Sequence, residues 1–217
     1  MKFLTLVLGL CAAAAAQAAT IELNLTGDAT LAAALSAYNA ANGTSYADTD
    51  GGTSLGANDV EVKGSGTLTF STALGSWTGK LTVKSGAKAR AVINQQTVLG
   101  NATTGAVYVE DGATLILDHS VNVGNGHQIS RPIHIAGNGA AAGENGALKL
   151  VGNNSSYRSA TPKALYLDAD ATLSFGANTG VAGSDDHQFI ADQGETWYLQ
   201  GHKLTVTDKG WPRTKRL

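Results

Sequence analysis

The sequence has few of the residues that cross-link, interrupt or charge a chain. Its 217 residues include one cysteine and three prolines. Charged residues make up 15%, against about 25% in an ordinary globular domain. The formal net charge is −2, so no basic excess exists and the composition argues against a nucleic acid or an anionic membrane as partner. The apolar fraction, 43%, is enough for a buried core and excludes disorder as the main state.

The first eighteen residues have the features of a secretion signal. Lys2 supplies a positive charge, an apolar core runs from Phe3 to Leu10, and Ala16-Gln17-Ala18 forms a small-x-small cleavage site. The apolar stretch is shorter than the roughly 20 residues needed to cross a bilayer, and no later stretch is apolar enough to span one. The sequence therefore predicts cleavage after Ala18, a secreted or surface location, and a mature chain from which Cys11, the one cysteine, has been removed.

A strand and one helix are predicted at the start of the mature chain. Alternating apolar residues indicate a strand from Thr20 to Thr26. Asp28 is the expected N-cap of the helix, and Asn42-Gly43 is its expected stop. A loop rich in Gly, Thr, Asp and Asn then reaches Asn58. Residues 19–58 are thus predicted as a strand, a capping helix and a loop, ahead of a repeat region at 59–208 and a basic tail at 209–217.

A two-strand unit recurs from Val60 onward. Each copy reads apolar-x-apolar, a turn of about three residues, then small-x-apolar-x-apolar. The six copies begin at Val60, Leu81, Val107, Ile133, Leu165 and Trp197. The first inward position after the turn is small in each clear copy, as a sharp corner over a narrow core requires. These small residues are Gly66, Ala87, Ala113 and Ala171.

This repeat predicts an all-β fold. One unit cannot bury its own apolar face, but units stacked on one another can. We therefore expect a right-handed parallel β-helix, or β-solenoid, with a short N-terminal capping α-helix. The alternative is a β-sandwich in which each unit is a hairpin, and the uneven connections between copies favour the solenoid.

Several segments resemble a known family. The run from Arg131 to Gly139, the segment Gly146-Ala147-Leu148, the strand pair from Ala164 to Leu173 and the run from Gly201 to Val206 are similar to the autotransporter-associated β-strand repeats of large secreted bacterial surface proteins. The resemblance covers about residues 105 to 208. It implies a β-helical passenger region displayed on or shed from a bacterial surface, in adhesion or glycan contact, and it carries over no catalytic residue.

Outward aromatic residues are the candidate binding site. Tyr108 and Tyr166 occupy the same outward position in two copies, and Tyr198 comes near it in the shortened last copy. An aromatic column of this kind would offer sugar rings a stacking surface. The other interpretation is that aromatic residues favour strands and cover neighbouring apolar surface.

Catalytic and metal-binding patterns are weaker. Asp185-Asp186-His187, in an insertion between copies, supports the alternative of a β-helical polysaccharide lyase or glycoside hydrolase. Other acidic pairs, Glu110-Asp111 and Asp168 with Asp170, fall in repeat turns, where Asp bonds the backbone. The histidines match no compact ligand spacing; the closest group in sequence is His119, His127 and His134.

The sequence therefore predicts a non-enzymatic module. We expect a structural or adhesin-like β-helix, with extracellular glycans or surface proteins as partners. No metal or cofactor is expected, and no transmembrane segment after removal of the signal.

Overall fold

The computed structural model describes residues 18–93, 97–100, 105–119, 129, 131–140, 146–152, 164–175 and 196–208. This part of the chain contains one helix and thirteen strands. They are β1 (Thr20–Leu25), β2 (Ala29–Thr30), α1 (Leu31–Asn42), β3 (Asp59–Gly64), β4 (Thr67–Phe70), β5 (Leu81–Val83), β6 (Lys88–Val92), β7 (Val107–Val109), β8 (Thr114–His119), β9 (Ile133–Gly137), β10 (Leu148–Gly152), β11 (Ala164–Phe175), β12 (Thr196–Tyr198) and β13 (Leu204–Asp208).

The strands form two parallel ladders that meet in β11. The first ladder is β1, β3, β5, β7, β9, the start of β11, and β12. The second is β2, β4, β6, β8, β10, the end of β11, and β13. All of these pairs are parallel, whereas a sandwich built of hairpins needs antiparallel neighbours. The fold is a parallel β-helix with one short helix, and the β-sandwich alternative is wrong.

The six predicted copies stack in register. The first residue of each copy is paired with the first residue of the next, from Val60 to Trp197. Strand β1 adds a further rung, because Ile21 pairs with Val60. The sequence pattern predicts β1 only as a strand that leads into the helix. The helix and the following loop separate β1 from β3 and hide the periodicity.

The corners of the coils have the tight packing that the sequence predicts. Ala87, Ala113 and Ala171 are at most 2% exposed. A Cβ added to Gly66 would overlap the carbonyl oxygen of Gly27 on the preceding rung. Small residues are therefore required here because the corner backbone packs closely against the core and against the neighbouring coil.

Helix α1 begins two residues later than predicted. Its N-cap is Thr30, whose Oγ1 accepts a hydrogen bond from the Ala33 amide at 3.2 Å. The prediction of Asp28 as N-cap is wrong, because Asp28 Oδ1 instead accepts from the Thr67 amide at 2.8 Å. The predicted stop is confirmed, since Gly43 adopts a left-handed φ of 66°.

The inward side chains form one apolar core. Leu31 and Leu35 of α1 are buried in the same cluster as the inward residues of the strands. The helix contacts β1, β2 and β4, which belong to the first two rungs. In the last rung, Trp197, Leu204 and Val206 are only partly buried against this core. Within the described ranges, no helix is both long and apolar enough to cross a bilayer.

Candidate functional site

The three predicted tyrosines lie in one column on the outward face of the first ladder, together with His134. The register pairs Tyr108 with His134, His134 with Tyr166, and Tyr166 with Tyr198. The successive ring centroids lie 4.6, 4.5 and 4.3 Å apart, with interplanar angles of 28°, 8° and 5°. These four residues, called the aromatic column below, form a continuous stack of flat rings.

His134 is the member of the column that sequence reasoning missed. It lies between Ile133 and Ile135, both buried, so strict alternation already places it outward. In the sequence, its proximity to His119 and His127 suggests only a weak metal-binding group. Its Nδ1 lies 2.9 Å from Oδ1 of Asp168, which fixes the ring from the turn side.

The ring faces within the column cover one another. Each inner ring has a neighbour on both faces, so the inner residues present mainly ring edges to solvent. Tyr198, the last ring, is 43% exposed. Burial, followed by the electrostatic interaction and the hydrogen bond with Tyr198, raises the pKa of the Tyr166 hydroxyl above its usual value. The inner ring faces of the column are therefore already occupied by neighbouring rings.

The acidic turn residues are held by neighbouring rungs. Asp170 Oδ1 accepts from the Lys203 amide at 2.9 Å, and His202 Nδ1 lies 3.7 Å from the same oxygen. Asp168 Oδ1 lies 2.9 Å from Nδ1 of His134. These contacts link successive coils at the turn, and each of the two carboxylates is engaged by a different neighbouring rung.

A charged ladder lies on the same outward face in the earlier rungs. Lys63 Nζ lies 3.0 Å from Glu22 and 3.3 Å from Glu61. Lys84 Nζ lies 3.5 Å from Glu61 and 2.7 Å from Glu110. These carboxylates raise the pKa of both lysines above the usual value. The charges of this face are thus paired along the coil axis.

Arg131 is a buried cation on the side of the coil between the two ladders. Its Nη1 donates to the Gly79 carbonyl oxygen at 2.7 Å and its Nη2 to that of Trp77 at 2.6 Å. The guanidinium carbon lies 4.3 Å from the Trp77 ring centroid. Burial lowers the pKa of Arg131 to about 10, so the side chain is still charged at neutral pH. Arg131 therefore has a structural role, because it joins rungs whose residues are far apart in the sequence.

A groove of about 740 Å³ runs between α1 and β1. Its helix side is lined by small residues such as Ala33 and Ala37. The carboxylates that line it, Glu22 and Asp28, contact Lys63 and the Thr67 amide respectively. The groove therefore shows no pair of carboxylates arranged for acid–base chemistry.

The remaining sequence candidates cannot be placed. Asp185-Asp186-His187, His127 and the side chain of His119 lie outside the described residues. In the described part of the chain, no group of three or more His, Cys, Asp or Glu side chains is arranged to hold a metal ion.

Comparisons with protein-family models, curated proteins and solved structures found no match. The features that bear on function are therefore the chain's own: the aromatic column, the charged ladder and the buried Arg131.

Proposed function

We propose that this chain is a non-enzymatic β-helix module, secreted or displayed on a cell surface. Its role is structural and adhesin-like, and its partners are extracellular glycans or surface proteins. The observation that carries the proposal is the aromatic column on the outer face of a regular parallel ladder. Ordered outward aromatic rings are a common means of contacting amphipathic ligands.

The charge arrangement supports a structural rather than a catalytic role. An active site places titratable groups together in a cleft and shifts their pKa values apart. Here Lys63 and Lys84 each bridge two carboxylates on an open strand face. This pairing links adjacent coils, and each of these carboxylates is in contact with a lysine.

The extracellular assignment is supported by the N-terminal sequence. Residues 1–18 fit a cleavable signal, and the repeats resemble those of secreted bacterial surface proteins. The test is expression in a bacterial host with the leader intact, followed by mass measurement of the exported protein. A product beginning at Ala19 is expected. A full-length product retained in the cytoplasm would contradict the assignment.

The glycan partner is tested with the purified exported protein. We expect retention on at least one insoluble or immobilised polysaccharide, and no release of reducing ends or unsaturated products from it. Retention without cleavage supports the binding module. Cleavage that disappears when Asp185, Asp186 and His187 are replaced together would instead establish the enzymatic alternative. Absence of retention across neutral, acidic and amino-sugar polysaccharides would refute the glycan partner.

A further inference from the structure

Strand β1 has one edge that no described strand covers. Among the described strands, β1 pairs with β3 alone. The Ser65 amide donates to the Leu25 carbonyl oxygen at 3.1 Å, so the odd-numbered residues of β1 direct their backbone groups towards β3. Because these groups alternate along a strand, the N–H and C=O groups of Thr20, Glu22 and Asn24 point to the opposite edge. This edge, called the β1 edge below, is a template for one more strand.

The groove between α1 and β1 follows the β1 edge. Residues from Thr20 to Leu25 line it on the strand side, a length of about 20 Å for six residues. Its volume is about 740 Å³, and Ala33 and Ala37 on the helix side are exposed. Leu35 of α1 belongs to the same core as the inward residues of β1, so the inward side chains of an added strand would meet the helix. Alanine side chains leave room for them there.

The charged ladder ends at the β1 edge with a carboxylate. Lys63 lies between Glu22 and Glu61, and Lys84 lies between Glu61 and Glu110. Glu61 is thus in contact with two lysines. Glu22 contacts Lys63 alone among the described residues, and 59% of its side chain is exposed. A cation on an added strand would continue the alternation of carboxylates and lysines along the coil axis, because opposite charges on adjacent strands attract.

We propose that the groove between α1 and β1 binds an extended segment of another polypeptide, in which apolar residues alternate with basic ones. The backbone of the segment adds a strand at the β1 edge and bonds the outward groups of Thr20, Glu22 and Asn24. Its apolar side chains face α1, and a lysine or arginine lies beside Glu22. The inference rests on the proposed function, since it gives the surface-protein partner of that proposal a binding site.

A second copy of this chain fits the β1 edge less well. Pairing of two β1 strands would bring two Glu22 carboxylates to one short strand pair, where like charges are unfavourable. Each copy would also bring its own α1 to the same edge, because the helix borders the groove. A basic extended segment has neither obstacle.

The charge part of the proposal is tested by fluorescence anisotropy of the purified protein with a labelled peptide, Val-Lys-Val-Lys-Val-Lys-Val. The same peptide with glutamate in place of lysine should bind about fivefold more weakly at low salt, and high salt should reduce the difference by screening. Glu22→Lys should reverse this preference. Glu110→Lys changes the net charge by the same amount on the same ladder but away from the β1 edge, so it is the matched control and should keep the preference.

The backbone part is tested with variants and with methylated peptides. Asn24→Pro removes an N–H from the β1 edge and keeps the bonds to β3, and we expect about tenfold weaker binding. Asn24→Ala keeps the N–H and should stay within about twofold of the wild type. Because only alternate amides of an added strand face the edge, N-methylation of all valines and N-methylation of all lysines should differ: one abolishes binding and the other does not.

Several outcomes would overturn the proposal. These are no binding of the lysine peptide, equal binding of the two methylated peptides, and equal effects of Glu22→Lys and Glu110→Lys, which would indicate general charge attraction. A wild-type dimer in sedimentation velocity that Asn24→Pro converts to monomer would mean that a second copy covers the β1 edge. If circular dichroism shows that Asn24→Pro is unfolded, the methylated peptides decide.

The outcomes also separate this site from the proposed function. Peptide binding without retention on any polysaccharide would leave the β1 edge as a binding site while the glycan partner fails. Retention on a polysaccharide without peptide binding would refute this site alone.

Discussion

Replacing Ala113 by leucine tests the corner packing on which the coil depends. Ala113 is fully buried at the entry to β8, and its amide donates to the Glu110 carbonyl oxygen at 2.9 Å to close the turn. The register places Ala87 on one side of it and Gly146 on the other. The side chain of leucine adds three carbons at a position where the interior is already filled, so the corner must open or its neighbours must leave their rotamers.

The expected cost is that of overpacking, about 1–3 kcal/mol in the free energy of unfolding. For a domain of this size each kcal/mol lowers the unfolding temperature by about 2–4 °C, so the midpoint should fall by about 2–12 °C. Thermal unfolding followed by circular dichroism measures it. The control is Ala40→Leu on the exposed side of α1, which should stay within about 0.5 kcal/mol of the wild type. Equal midpoints for the two variants would refute the corner argument.

Further predictions concern the core, the buried cation and acid stability. Leu115→Ala, at a fully buried core position, should lower the free energy of unfolding by about 2–5 kcal/mol in a urea titration, and a loss under 1 kcal/mol would contradict its placement. Arg131→Met leaves the carbonyl oxygens of Gly79 and Trp77 without their donors and should cost about 1–3 kcal/mol for each that stays dry; unchanged stability in urea would mean that the site admits water. Hydrogen bonds from Thr67 lower the pKa of Asp28 below its usual 3.8, so the folded state binds fewer protons than the unfolded state. The stability that ionised Asp28 contributes is therefore fully present above pH 3.8 and is lost as the pH falls through the lowered pKa. Asp28→Asn should therefore show a weaker dependence of stability on pH in that acid range, and an unchanged acid-unfolding curve would argue against the bond.

The register of the coils could be predicted because local signals agree. Alternation fixes which side chains point inward, and small residues mark the corners. The copies beginning at Val60 and Leu81 therefore pair as their patterns indicate. Strand β1 shows the limit of this reasoning, because Ile21 pairs with Val60 across the helix and a loop. A repeat interrupted by an insertion has no fixed period from which the pairing can be read.

The position of the aromatic column followed from the sequence, but the state of its ring faces did not. Alternation places Tyr108, Tyr166 and Tyr198 outward, and it says nothing about side-chain torsions. Once rings occupy successive rungs about 4.8 Å apart, they must lie nearly face to face to fit. That consequence depends on His134 filling the rung between two tyrosines, and its copy of the repeat was the weaker one.

Arg131 had no usable signal in the sequence. An arginine beside a strand ordinarily lies at the surface. Its two carbonyl partners are 52 and 54 residues away in sequence, so the burial depends on how the third side of the coil closes. Gly100 gives the matching constraint, because a Cβ there would overlap the guanidinium. Such pairs become visible only when the coils are stacked.

The aromatic column also has a structural consequence that is separate from ligand binding. The last rung has a weaker core than those before it, because Trp197, Leu204 and Val206 are only partly buried. Aromatic pairs contribute about 0.5–1.5 kcal/mol each beyond their buried area, and three such pairs run along the outside of these rungs. The stack therefore stabilises the last rungs, which are the rungs that the buried core stabilises least. Removing an inner ring takes away two of these pairs and removing Tyr198 takes away one, so a substitution of His134 or Tyr166 should loosen the last rungs more than a substitution of Tyr198.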